Sequence, residues 1–459
     1  MPGGATGYLP HIGSKMSLSS QSLRNIAATA LSMLSVMACA GSLAQPVPTA
    51  RKVPQPQKPV KSAVATQLRA REMLRVEGVE LWRGKYEFEN VGVNAPGLFH
   101  RVITAGVSAG ERPLTTAVKA GARLLRCTVA PASYEETLAW NTSPTTALAA
   151  LDSLLASADA KGIAIVPVLL GNGLPFVPAG HTIPELFKPD TPTQQAALTW
   201  IRIVATHCKN DPRVLFFDLG DGLNIGADLP ESSERPSASC FRIDQLRGFY
   251  SRAAQAIKAI DARRLIGGGS ADLRPDAYHL RQICLAHTSA DKPWTYSMPD
   301  DQDQFTEYTE MLANLCPAPM DILSIQQSAP ADPENRVHWL TEDDEHALRL
   351  PWLHNAAGLI PAEVRGKGNG RPLFVCSFGQ AAPTAVAGAK PQDLLWITDF
   401  VRRLRTASAP ISAIANWEED GSGGSLAVIS PEKYAELISL MFTVNSALYT
   451  TAKDSPLVK

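Results

Sequence analysis

The chain carries almost no net charge: 43 basic residues stand against 44 acidic ones, leaving −1 over 459 residues. It therefore offers no basic patch for nucleic acid and no acidic tail. Its seven cysteines (Cys39, Cys127, Cys208, Cys240, Cys284, Cys316 and Cys376) include no CxxC pair and no metal-ligand spacing. Most read as small buried hydrophobes, with disulfides permitted if the protein is exported. No Gly-rich phosphate turn follows the first strand, which counts against a dinucleotide-binding open sheet. There is no Ser-His-Asp order with a supporting motif, and no cofactor or metal is expected. Forty-five per cent of the residues are hydrophobic, enough for an ordinary core.

The N-terminus has the order of an export signal. Lys15 and Arg24 precede an apolar stretch from Ile26 to Ala40, and small residues follow before Gln45. Val36–Met37–Ala38–Cys39 also matches a loose lipoprotein box, which would leave Cys39 lipid-anchored, although Met37 fits that box poorly. Residues 1–44 are thus expected to be a signal peptide or lipoprotein signal. Residues 45–72, with Pro46, Pro48, Pro54, Pro56 and Pro59, form a semi-extended linker. Residues 73–459 form the folded domain. The expected location is periplasmic, cell-surface or secreted, without a membrane span.

Within that domain, Val79–Trp82 and Tyr86–Phe88 alternate around Arg83–Gly84–Lys85, a hairpin signal. Strands then alternate with helices. The strands are expected at Val91–Asn94, Arg123–Cys127, Ile163–Leu170, Val214–Leu219, Arg264–Ser270, Asp321–Ile325, Pro372–Cys376 and Ile411–Ala415. Helix signals include Pro113–Ala120, the Ser143–Pro144 start, Thr191–Pro192 and the Leu246, Phe249, Ala253, Ile257 face. Others are Pro391–Leu404 and a last helix from Ser430–Pro431 to about Leu448. Eight strands alternating with helices imply an α/β (β/α)8 TIM barrel. It has an N-terminal β-hairpin and long loops on the catalytic face.

One stretch organises the chemistry. Val214–Leu219 is a continuous apolar run broken by Asp218, and it ends in Gly220–Asp221–Gly222. It reads as a strand buried on both faces, opening onto the functional face of a parallel barrel. The run resembles the fourth-strand signature of family 5 (clan A, cellulase- and mannanase-type) glycoside hydrolases, roughly Trp-Glu-Leu-x-Asn-Glu-x-Asn. Arg371–Gln380 is similar to that family's seventh strand, Lys-Pro-(apolar)-Thr-Glu-Phe-Gly. The resemblance spans roughly Val76 to Leu448. It implies a fold and a two-carboxyl chemistry in which one group protonates the leaving oxygen and the other attacks from about 5 Å away.

Against that pattern Gly222 stands at the acid/base and Ser377 at the nucleophile. Gly222 can transfer no proton, and a Ser377 hydroxyl needs a base to attack. Asp221 stands at the family's Asn and Gln326 at its sixth-strand His, whereas Arg126 and Trp417 match family positions. The resemblance therefore implies a catalytically inactive pseudo-glycosidase that binds an oligo- or polysaccharide. Two alternatives stay open: an active O-glycosyl hydrolase using displaced carboxylates, and an envelope scaffold or interaction module. Candidate substitutes are Asp221, a turn residue on its simplest reading, and Glu418 and Glu419, on a run that otherwise reads as a solvated loop. Arg126, Trp140, Gln326, Trp339 and Trp417 are the expected sugar-contacting residues, Arg126 being equally readable as a buried ion-pair partner. Tyr134, Trp140, Trp294, Trp339 and Trp352 fall in the long loops, where rings stack on sugars or pack the loops down. His100 follows the first strand, where a lone His is more often merely hydrogen-bonded than functional.

Overall fold

The computed structural model describes residues 72–229, 240–271, 273–274, 276–286, 303–329, 370–380, 411–415, 417 and 431–450. The expected helix over Pro391–Leu404 lies outside these residues, as do Cys39, Trp294, Trp339, Trp352, Glu418 and Glu419.

Apolar runs such as Ala164–Val168 and Ile411–Ile414 bury every side chain, so each needs cover on both faces. A closed parallel barrel supplies it. The described residues open with a three-stranded antiparallel sheet, β1 (Leu74–Glu77), β2 (Glu80–Arg83) and β3 (Tyr86–Glu87), in which β2 and β3 form the expected hairpin. Then follow β4 (Asn90–Asn94), α1 (Leu98–Ala105), α2 (Glu111–Lys119) and β5 (Leu124–Thr128). The third unit is α3 (Tyr134–Thr142), α4 (Thr145–Ala160) and β6 (Ala164–Val168), and the fourth is α5 (Pro184–Phe187), α6 (Pro192–His207) and β7 (Phe217–Asp218). Next come α7 (Ile243–Ile260), β8 (Ile266–Gly267), α8 (Ala277–Ala286) and α9 (Phe305–Asn314). The last elements are β9 (Leu323–Ala329), β10 (Leu373–Gln380), β11 (Ile411–Ile414) and α10 (Pro431–Thr450).

The parallel order is β8-β7-β6-β5-β4-β11-β10-β9. Bridges Gly267↔Ile322 and Ser270↔Ile325 join the two edges and close the barrel. The expected (β/α)8 architecture and its N-terminal hairpin are therefore both present.

Two apolar cores result. Leu124, Val166, Phe216, Phe374 and Ala413 fill the barrel interior, and Leu74, Leu81 and Phe88 of the hairpin segment join them. The Phe216 and Phe374 rings meet edge-to-face at 5.2 Å. The larger core lies between the strands and the helix shell. Buried Asn445 of α10 clasps the first strand. Its Oδ1 accepts from Asn90 Nδ2 (2.8 Å) and Val91 N (2.9 Å), while its Nδ2 donates to Val91 O and Ala120 O (both 3.0 Å).

The stretch after the first barrel strand, and a segment read from sequence as a loop, are helical. Leu98–Ala105 forms α1 and buries Leu98, Phe99 and Val102. Tyr134–Thr142 forms α3, started by Ser133, whose hydroxyl accepts from Glu136 N. Helix α4 begins at Thr145 with Pro144 as its cap residue, one position later than expected.

Candidate active site

The site is built on Arg126, the third residue of β5, whose side chain is fully buried. A guanidinium offers five N–H donors in a fixed fork, so burying one demands several acceptors. Nε donates to Asp218 Oδ2 (2.8 Å), Nη1 to Asp221 Oδ1 (2.9 Å) and Asn94 Oδ1 (3.3 Å), and Nη2 to the Gly220 carbonyl (3.1 Å). The network continues outward. Ser324 Oγ donates to Asp218 Oδ2 (3.0 Å), Gln326 Nε2 to Asp221 Oδ1 (2.6 Å), and Asn94 Nδ2 to Ser377 Oγ (3.2 Å). Five strand ends, those of β4, β5, β7, β9 and β10, thus converge on one cation.

The electrostatics follow from enclosure. Burial by itself would lower the Arg126 pKa, but the charges around it raise it. Asp221 and Asp218 are the lasting cause, because burial pushes the neighbouring Cys376 thiol up to about 12 and keeps it neutral. Burial raises the Asp218 carboxyl above its ordinary value, against the pull of Arg126. Among the described residues, Asp218 Oδ1 has no hydrogen-bond partner. Asp221 differs: its side chain is 29% exposed and faces the mouth.

The two positions that resemble catalytic ones are occupied as follows. Gly222 has φ +76°, in the left-handed region, and a Cβ built on it would lie 2.9 Å from Ile225 Cδ1. Ser377 is 7% exposed and follows a β-bulge at Cys376, where the register against both neighbouring strands shifts. A bulge at a barrel rim re-aims the side chain after it. Here Ser377 is aimed at Asn94, and Cys376 joins the barrel interior.

Of the expected sugar-contacting residues, Gln326 and Arg126 belong to this network, but Arg126 is sealed beneath it and presents no surface to a ligand. Trp417 is also fully buried. Its indole N–H donates to Pro113 O (3.2 Å) and its backbone N–H to Asn94 O (3.0 Å), so it caps the barrel rather than offering a stacking platform. Trp140 packs beneath the face against Phe99, His100 and Trp200, with ring centroids 5.1–6.0 Å away. His100 Nε2 bonds Ala130 O (2.8 Å), a structural role.

Sequence reasoning did not single out Asn94 or Ser324. Asn94 ends β4 and Ser324 lies in β9, and a polar residue at a strand position that the barrel buries is the signal that could have found them.

Among the described residues, His279, Asp303 and Glu307 have ligand atoms within 4.8 Å of one another. Asp303 accepts from Tyr278 N (2.7 Å) and His279 N (3.1 Å), and Glu307 from Gln304 N (2.6 Å). Those carboxylates cap helix starts, a structural task. No described helix is long and apolar enough to cross a membrane.

No family model and no curated protein matches this chain. Solved structures do. An endo-1,4-β-mannanase from Rhizomucor miehei superposes with TM-score 0.56 at 13% identity, over 83% of this chain and 100% of the other. A glycoside hydrolase family 5 mannosidase from the same organism gives 0.54 at 11%, over 83% and 99%. An endo-β-1,4-mannanase from Thermotoga petrophila gives 0.52 at 13%, over 81% and 79%. At this identity the likeness is one of fold, and this chain has the barrel fold of the family 5, clan A mannanases.

Proposed function

We propose that this chain is an exported, family-5-like barrel that has given up glycoside hydrolysis and binds carbohydrate at the same face. The observation that carries the reading is Gly222. Its left-handed backbone and the Ile225 side chain beside it leave the strand-four tip without a carboxyl and ill-suited to hold one. At the tip of β10, Ser377 accepts a hydrogen bond from Asn94, and among the described residues no base hydrogen-bonds its hydroxyl. Among the described residues Asp221 is the mouth carboxylate that reaches solvent, with Asp218 enclosed below it. A rigid polar floor of this kind suits hydroxyl recognition. The similar solved structures are named as mannanases and a mannosidase, so β-1,4-mannan is the first glycan to test. Export rests on the charged and apolar order of residues 15–44.

The test is to incubate the full chain with β-1,4-mannan and β-glucan oligomers, following binding by calorimetry and new reducing ends by end-group assay. Binding without cleavage is expected. Turnover that disappears in Asp221→Ala would overturn the reading in favour of displaced carboxylates. That alternative draws on the exposed Asp221 oxygen and needs a second carboxyl about 5–10 Å away, for which Glu418 and Glu419 are the candidates. The scaffold alternative draws on the burial of Trp140 and Trp417.

A further inference from the structure

Taking the carbohydrate-binding reading as its basis, we propose that the preferred ligand is an amino sugar with a free ammonium group, received by Asp221 Oδ2. Three observations support this ligand class. First, the cation at the floor is spent. Arg126 has no exposed surface and donates to Asp218, Asp221, Asn94 and Gly220, so it turns no charge towards a ligand. Second, the donors that reach Asp221 converge on one oxygen. Oδ1 accepts from Arg126 Nη1 (2.9 Å) and Gln326 Nε2 (2.6 Å), while no described residue reaches Oδ2 and the side chain is 29% exposed. The outward face of the carboxylate is therefore a pure acceptor. Third, two carboxylates share one guanidinium, so the floor has a surplus of acceptors over charge-matched donors.

A ligand here must bring the donors. Hydroxyls can do so, but an ammonium supplies three N–H groups and a full positive charge, which adds a Coulombic attraction to the carboxylate that a hydroxyl lacks. N-acetylation would remove the charge and add bulk, so the unsubstituted amine is the group selected.

Calorimetry on the full chain at mildly acidic pH can compare the glucosamine hexamer, its N-acetylated counterpart and mannohexaose. The glucosamine hexamer is expected to bind at least about 10-fold more tightly than either, a preference that falls several-fold as salt rises through roughly 0.02–0.2 M. Asp221→Asn keeps Oδ1 as an acceptor for Arg126 and Gln326 but turns an N–H₂ outward, and it is expected to abolish the preference. Were that variant not to fold, the salt series on the parent chain still decides, because a preference unchanged through that range would overturn the ammonium assignment. Equal affinity for the three glycans, or a preference that survives Asp221→Asn, would overturn the ammonium assignment while leaving carbohydrate binding standing. If none of the three binds, carbohydrate binding and the amine preference fall together.

Discussion

At Arg126 one cation serves two carboxylates in a place water does not reach, and that sharing sets the cost of change. Arg126→Met leaves Asp218 buried without a counter-charge, and a loss of about 3–5 kcal/mol is expected by chemical denaturation. Arg126→Met with Asp218→Leu should recover most of it; a single variant as stable as the parent would show that the pair carries no such burden. Gly222 is a second point of constraint. Its φ of +76° makes Gly222→Ala cost about 1–2 kcal/mol. Gly269 is tighter still, because a Cβ there would sit 1.9 Å from the Gly220 carbonyl oxygen. Gly269→Ala is therefore expected to cost about 3 kcal/mol or more, unfolding the strand end that presents Asp221. At this scale the sequence was informative about polar residues near strand ends: Asp221, Gln326 and Ser377 all belong to the network around Arg126 and Asn94. It was uninformative about Trp140 and Trp417, because an aromatic residue looks alike in a sequence whether its ring faces solvent or a neighbouring helix.

Elements differ in how plainly they declare themselves. Helix α6 is announced by Thr191 and Pro192, and the structure has Thr191 Oγ1 accepting from Gln194 N. Helix α3 lacks an apolar stripe, burying only Thr137 and Trp140, and its one signal is the Ser133-x-x-Glu136 start. Helix α8 is capped from outside its own neighbourhood, by Asp303, 24–25 residues further along the chain. Burial raises the Asp303 carboxyl to about 6, with His279 and Glu307 as the charged groups facing it. The sign of its effect on stability follows from linkage. Between its ordinary value near 3.8 and about 6, the folded chain holds a proton that the unfolded chain has released. Its contribution therefore falls as pH rises through that window. Thermal melts from pH 4 to 7 should show a downward slope that flattens in Asp303→Asn; an unchanged slope would assign it to other groups.

Over the whole molecule, the closed barrel depends on contacts that are distant in sequence. Asn445 joins the last helix to β4 through three hydrogen bonds and to the Ala120 carbonyl through a fourth. Asn445→Ala strands buried partners, and a loss of about 2–4 kcal/mol is expected by denaturant titration. A variant within about 0.5 kcal/mol of the parent would show that water replaces the clasp. The eight-fold alternation of apolar strands and amphipathic helices was legible in the sequence because period and burial are local properties of a chain. So was the identity of the residues at 222 and 377, glycine and serine, which needs no structure to read. Only the tertiary structure decided that Arg126 lies beneath the floor, that Trp417 is a cap and that Asp221 keeps one oxygen open. Each of those depends on which side of a strand tip faces the mouth, and that is set by barrel closure, by the bulge at Cys376 and by glycine turns that no linear pattern records.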